Sequence, residues 1–521
     1  MRFITFTLVL FTYWSCENLS NTPNFLFIVV DDLGHKDLSA TGSDFYETPN
    51  IDKIAREGTR FTQGYANASV CSPSRASLLT GLYPTAHGIT DWIGAKYGME
   101  WRKVGRKTKL LPSDYVKHLP FKLTTLPEVF KAHQYKTFFA GKWHLGSEEQ
   151  QSLPTDHGFE INKGGYHRGG PYSGGYFSPF NNPFLEDKLD EKGMSLSMKI
   201  ARETASFIEQ NSKEPFFAYM CFYAVHAPIQ TTQEKWGKYH RKALEQGLLK
   251  EGFSMEKRLP IRVKQDNPVY AGLIEQTDEA VGHVLKTLET LNLDDNTVIV
   301  FVSDNGGVSA GDDYATSNLP LRGGKGYQWE GGIRIPFFLK VPQIDYPKKI
   351  VDTPVTGADL FPTLLELAGI DNPVLVDGVS LVPLLKDKSI LERSLYWHYP
   401  HYGNQGGDPS AIIRKGNWKL IHYFEDETNE LYNLSSDIRE TKNVFNQFPQ
   451  EGMLLKNELE NWLSSTKALI PEIDPLYNEE EEKEWLHEHK QKMKIKVEKR
   501  RAFQLDPNYL PNEDWWGSTI D

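Results

Sequence analysis

Four times along the chain an apolar run stops abruptly in polar or charged residues. The run 24–30 ends at Asp31 and Asp32, and the run 135–140 at Gly141, Lys142, Trp143 and His144. The run 215–225 ends at His226, and the run 297–303 at Asp304, Asn305 and Gly306. Apolar runs of this length without polar alternation predict strands buried on both faces. Between them, stretches at 51–58, 126–132, 195–210 and 270–291 predict helices. Strands alternating with helices predict an α/β fold: a large, mostly parallel central sheet flanked by helices. In such sheets sites form beyond the carboxyl ends of the strands. All four polar clusters fall at that end, so they are expected to converge.

The pattern changes after about Leu395. Trp418 to Phe424 and Glu430 to Leu434 read as short strands joined by a polar turn, a hairpin signal. The expected organisation is a main domain over 23–395, a smaller C-terminal α+β domain over 396–475 and a charged tail over 476–521. The run Glu479–Lys483 opens a helical stretch ending near Arg501, read as a solvated face, and the last residues from Asp506 are expected to be partly disordered. At the other end, Met1 and Arg2 precede an apolar stretch from Phe3 to Trp14 and then Ser15 and Cys16. This reads as an export signal over 1–16 and is too short to span a bilayer. Cys16 resembles the lipidated cysteine of bacterial lipoproteins, although Tyr13 and Trp14 match that pattern poorly. Signal cleavage and a lipid anchor at Cys16 both stay open, and the expected location is the periplasm or the outer membrane.

Composition narrows the chemistry. The chain has 521 residues and a formal net charge of −11, which excludes a general nucleic-acid binder. An anionic substrate would need a local cationic pocket. The three cysteines, Cys16, Cys71 and Cys221, cannot form a disulfide framework.

The most specific stretch is Cys71 to Gly81, which reads C-S-P-S-R-A-S-L-L-T-G. It resembles the signature C-x-P-S-R-x-x-L-L-T-G of the formylglycine-dependent sulfatases, members of the alkaline-phosphatase-like superfamily, and the resemblance runs from Asn24 to about Asn443. It implies that Cys71 is converted to Cα-formylglycine by a sulfatase-maturating enzyme, with Pro73 and Arg75 where such enzymes need them. The hydrated aldehyde then offers one hydroxyl to attack sulfur and a second to expel sulfate. Read from the residues alone, 74–79 looks like a helix start with Pro73 in its first turn. A helix N-terminus beside residue 71 favours an anion.

Asp31, Asp32, Asp304 and Asn305 offer only oxygen ligands, which suits a hard cation, calcium or less often magnesium. The resemblance implies one Ca2+ at these positions, touching residue 71 as well. It also implies that Lys142 contacts nucleophile and sulfate, and that His144 orients the diol and serves as a base. By the same resemblance His226 protonates the leaving alcohol, Lys325 clamps sulfate and Arg75 completes the cage. A poor alkoxide leaving group needs such an acid, and fixed cations stabilise the developing charge.

The Gly- and Tyr-rich loop 163–178, with His167 and Arg168, is expected to shape the sugar pocket, joined by Trp397, His401 and Tyr402. The expected substrate is a sulfated oligosaccharide or polysaccharide, from algal polysaccharides such as ulvan or carrageenan or from glycosaminoglycans. Two rival readings are a phosphodiesterase or phosphonate hydrolase of the same superfamily, and a non-catalytic sugar-binding lipoprotein. The His-rich, two-zinc set of an alkaline phosphatase is not found in the sequence.

Overall fold

The four apolar runs form four neighbouring parallel strands. They are β1 (Asn24–Val30), β3 (Lys136–Gly141), β5 (Phe216–Phe222) and β6 (Thr297–Ser303), side by side in the order β6-β1-β5-β3. Four further strands complete an eight-stranded sheet: β2 (Thr59–Phe61), β4 (Ile161–Lys163), β7 (Phe337–Lys340) and β8 (Ile350–Val351). The full order is β8-β2-β7-β6-β1-β5-β3-β4, and β7 alone runs against the rest. The computed structural model describes residues 22–171, 175–186, 188, 191–344 and 349–512. The export segment with Cys16 and the end of the tail, 513–521, lie outside the described residues, as does part of the loop 163–178. Among the described residues no helix is long and apolar enough to cross a membrane.

Successive side chains on a strand face opposite ways, so each apolar run feeds two layers. Leu26, Ile28 and Val30 join one core with Ile200 and Phe207 of α4 (Leu196–Gln210), Trp236 of α5 (Gln233–Glu245) and Val281 of α6 (Pro268–Thr290). Ile51 and Ile54 of α1 (Pro49–Glu57) belong to the same layer. Phe25, Phe27 and Val29 join the opposite core with Leu78 of α2 (Cys71–Thr80), Phe130 of α3 (Leu126–Ala132) and Leu364 of α7 (Leu360–Leu367). Each fully buried Leu, Val or Phe contributes about 1.5–3 kcal/mol. Two such layers give the rigidity needed to hold buried charge at the strand ends.

Helix α2 starts earlier than the expected 74–79, with Cys71 at its first position after the extended Val70. Pro73 permits this, because a helix leaves its first four N–H groups without intrahelical partners. The helix ends at Gly81, whose φ of +70° suits a left-handed cap, and all ten of its residues are buried.

The C-terminal part is an antiparallel sheet of β9 (Leu395–Tyr399), β10 (Ser410–Lys415), β11 (Trp418–Tyr423) and β12 (Asn429–Asn433), in that order. One face packs on Leu455, Leu459 and Leu463 of α8 (Pro449–Ser465). The other packs on Tyr65, Tyr327 and Trp329 of the main domain. The charged stretch forms α9 (Glu479–Gln504). It is not solely a solvated face: Val497 is buried, and Arg501 pairs with the buried Asp266 at 2.6 Å.

Candidate active site

The strand ends bring the polar clusters into one buried floor. Asp31 and Asp32 follow β1, Asp304 and Asn305 follow β6, and Lys142 and His144 follow β3. Helix α2 points its N-terminus into this group. Ligand atoms of Asp31, Cys71 and Asp304 all lie within 4.8 Å of one another. Arg75, one turn into α2, donates Nε to Asp304 Oδ2 at 2.8 Å and one terminal nitrogen to the Lys142 carbonyl at 2.8 Å. That same nitrogen lies 2.8 Å from Cys221 Sγ. The guanidinium is therefore spent on the floor. It orients the acids, and it is not part of the cavity lining.

Three buried carboxylates near enough to repel one another are costly unless cations offset them. Lys142 Nζ meets Asp31 Oδ2 at 2.5 Å, and Lys325 Nζ meets Asp32 Oδ2 at 2.8 Å. Burial pushes the Asp31 carboxyl well above its ordinary range, Asp304 adds to this, and Lys142 opposes it. For Asp32 burial also pushes upward, but Lys325, His226 and Lys142 outweigh it and hold the group low. Two buried oxygens, Asp31 Oδ1 and Asn305 Oδ1, have no hydrogen-bond partner. The Asn305 amide donates to Asp32 Oδ1 at 2.8 Å, which turns its oxygen away from that contact. Unpartnered buried oxygens beside excess carboxylate fit a hard divalent cation.

The histidines are fixed as tautomers by carbonyls, which can only accept. His144 Nε2 donates to Ile93 O at 3.1 Å, so Nδ1 is the basic atom. His226 Nδ1 donates to Ala227 O at 2.5 Å, and Nε2 lies 3.8 Å from Asp32 Oδ2. Burial, with the Lys142 charge, depresses His144 well below the ordinary histidine value. Burial and Lys325 bring His226 down to about 4. Burial pushes the Cys71 thiol up to about 12, so an unmodified Cys71 is a poor thiolate nucleophile.

Cys71, His144, His226 and Lys325 line a cavity of about 340 Å³. His167 and Arg168 of the 163–178 loop line it too, as that loop's composition suggests. Gly169 lies so close to His144 that an added Cβ would stand 2.6 Å from the ring. The expected C-terminal contributors are not there. Trp397 donates its indole N–H to Ala66 O at 2.7 Å, His401 bonds Thr90 at 2.9 Å, and Tyr402 stacks on Trp101. All three are consumed in packing, and their neighbours Asn404 and Gln405 reach the cavity instead. Trp92, Ile93 and Asp312 complete the wall and had no signal in the apolar pattern. Ser72 was also missed: its hydroxyl donates to His144 O and accepts the Ile93 N–H, each at 3.0 Å, tying α2 to both segments.

The Sulfatase family model matches residues 23–370, and the model of the N-sulphoglucosamine sulphohydrolase C-terminal region matches 324–468. A sulfatase from Formosa agariphila is 30% identical over 528 residues, covering 87% of this chain and 90% of the relative. Human N-acetylgalactosamine-6-sulfatase is 28% identical, covering 72% of this chain and 68% of the relative. Among solved structures, Ps i-CgsB in complex with k-i-k-neocarrahexaose superposes with a TM-score of 0.67 at 27% identity, covering 89% of this chain and 97% of that one.

Proposed function

Since the chain belongs to the sulfatase family and is a sulfuric ester hydrolase, we propose that it desulfates a carbohydrate, using Cys71 as formylglycine beside a calcium ion. The observation that carries this is the meeting of Asp31, Cys71 and Asp304 under a cavity lined by His144, His226 and Lys325. The carbohydrate is supported by the names of two relatives, one solved with a neocarrahexaose and one acting on N-acetylgalactosamine 6-sulfate groups. Carrageenan- or ulvan-type oligosaccharides remain the substrate class of this reading, and export through the segment before Cys16 belongs to it.

The formylglycine hydrate supplies the hydroxyl that attacks sulfur and the hydroxyl that later releases sulfate. Asp31, Asp32, Asp304 and Asn305 would hold the calcium ion, which supplies Lewis-acid polarisation. The chain's own groups do the rest. Lys325 fixes sulfate oxygens from the cavity wall and is held by Asp32, while Lys142, buried beneath the cavity on Asp31, supplies positive charge from below. His144 Nδ1 is the atom placed to take a proton from the hydrated residue 71. His226 Nε2 gives a proton to the departing alcohol oxygen. A bound sulfate adds negative charge beside that ring and raises its proton affinity from the depressed resting value. General acid catalysis of this type contributes ~10²–10⁴-fold. Because every residue of α2 is buried, the maturating enzyme would act before the chain folds.

A host that carries maturating machinery should yield a residue-71 peptide without its thiol sulfur. That protein should hydrolyse 4-nitrophenyl sulfate far faster than bis(4-nitrophenyl) phosphate. An intact cysteine with no turnover would favour the non-catalytic sugar-binding reading. Preference for the phosphodiester would favour the phosphodiesterase reading.

A further inference from the structure

One acid faces the catalytic cavity without belonging to the floor. Asp312 opens a short 3-10 turn, Asp312–Tyr314, and its side chain is 33% exposed. Its Oδ2 lies 3.7 Å from Lys325 Nζ, the ammonium that also pairs with Asp32 at 2.8 Å. Lys325 thus stands between the buried floor and this wall. A sulfate held by Lys325 would leave Asp312 beside the ring atoms that carry the ester.

The position is held firmly. Gln405, in the loop between β9 and β10, donates its amide to the Asp312 carboxylate. Asp312, Asp313 and Tyr314 all have positive φ, at 30°, 68° and 51°, a rare backbone state outside glycine. The turn is clamped from two sides. Arg500 of α9 pairs with Asp313 at 2.7 Å, and Arg262 donates to Tyr314 O at 2.6 Å. A strained turn held in this way presents one carboxylate to a cavity whose other ionisable lining groups are Cys71, His144, His167, Arg168, His226 and Lys325.

A carboxylate accepts hydrogen bonds and repels a second anion. Resting on the carbohydrate sulfatase reading, we propose that Asp312 accepts a hydrogen bond from the sugar hydroxyl next to the sulfate ester. The enzyme then selects units in which that neighbouring position is a free hydroxyl, and rejects units in which it is sulfated or missing.

The test takes the best substrate of the wild type from a panel of galactose, glucose and N-acetylgalactosamine monosulfates. Its kcat/KM is compared with those of the analogue lacking the neighbouring hydroxyl and the analogue sulfated there. Wild type should prefer the free hydroxyl by about 10- to 100-fold, the range of a hydrogen bond to a charged group. In Asp312→Asn that ratio should fall towards one for the sulfated analogue. Equal turnover of all three by wild type would overturn the proposal, as would an Asp312→Asn loss of the same factor on each. If the variant does not fold, the wild-type series decides alone. Wild type that cleaves 4-nitrophenyl sulfate but no sugar monosulfate overturns this inference and leaves the sulfatase chemistry standing. Wild type that cleaves neither brings down the parent reading.

Discussion

Asp304 shows how a single residue balances the site. Its Oδ2 accepts Arg75 Nε–H at 2.8 Å with the charged Nη2 also 2.8 Å away, and its Oδ1 accepts the Asp32 N–H at 3.1 Å. Burial would push its pKa up, but Arg75 and Lys142 outweigh this and keep it ionised. Asp304→Ala should therefore lower kcat/KM on the order of 10²–10³-fold or more, the scale for losing one preorganised electrostatic contact. It should also weaken calcium binding measured by calorimetry. A variant that stays active and is indifferent to chelators would remove the metal from this account. Asp31, Asp32, Lys142, His144, Asp304 and Asn305 were legible in the sequence because they follow apolar strands, where charge has no structural excuse, whereas Cys71 and Arg75 of α2 were legible only through the family signature. Asp312, Gln405, Trp92 and Cys221 were not. Three come from irregular loops, and Cys221 looks like one more apolar residue of β5 until Arg75 Nη1 is found 2.8 Å from its sulfur.

At the scale of elements the four central strands and their direction followed from run length and what lay between them. The short strands β2, β4 and β8 did not, since two or three residues carry no periodicity. The start of α2 was placed at Ser74 because proline favours the very start of a helix, whereas Pro73 occupies the third position of the first turn. The packing of α2 against the segment that follows it supplies a pH prediction. His87 Nδ1 accepts the Ile89 N–H at 3.1 Å, and Nε2 bonds the Ser77 hydroxyl of α2 at 3.1 Å. Burial holds this neutral ring down to about 3, against 6.5 ordinarily. Between those values the unfolded chain binds a proton that the folded chain refuses. Stability from this group is therefore complete above about pH 6.5 and is lost as pH falls towards about 3. From pH 7 to about pH 4.5 the loss amounts to roughly 2–3 kcal/mol. Urea unfolding of His87→Gln should show a shallower fall over that interval than wild type. Identical falls in both proteins would mean that His87 is not the titrating group.

The whole molecule depends on how the C-terminal sheet docks, because the loop between β9 and β10 carries Asn404 and Gln405 into the cavity. That docking buries charge. Lys419 of β11, fully buried, lies 3.2 Å from Glu330 and 2.7 Å from Glu440, both also fully buried. Glu330 further accepts from Tyr65 at 2.7 Å, and Arg414 of β10 donates to the same tyrosine. Burial pushes Glu440 up to about 7 with Lys419 opposing, while Lys419 and Arg414 overcome burial at Glu330 and bring it to about 2. Such a cluster is satisfied only as a unit: removing its one lysine leaves Glu440 without its cation in a dry interface, and leaves Glu330 to Arg414 and to Arg334, 3.5 Å away. Lys419→Met, which keeps an unbranched apolar stem and removes the ammonium, should cost about 3–5 kcal/mol. The cost should fall on the whole protein, because the sheet packs on Tyr65, Tyr327 and Trp329 and not on a flexible linker. Denaturant titration should therefore show one transition shifted to lower concentration, with sulfate ester hydrolysis lost in step with tryptophan fluorescence. Two separated transitions, with hydrolysis surviving the first, would mean that the C-terminal sheet folds apart from the catalytic floor and that its loop is dispensable to the cavity.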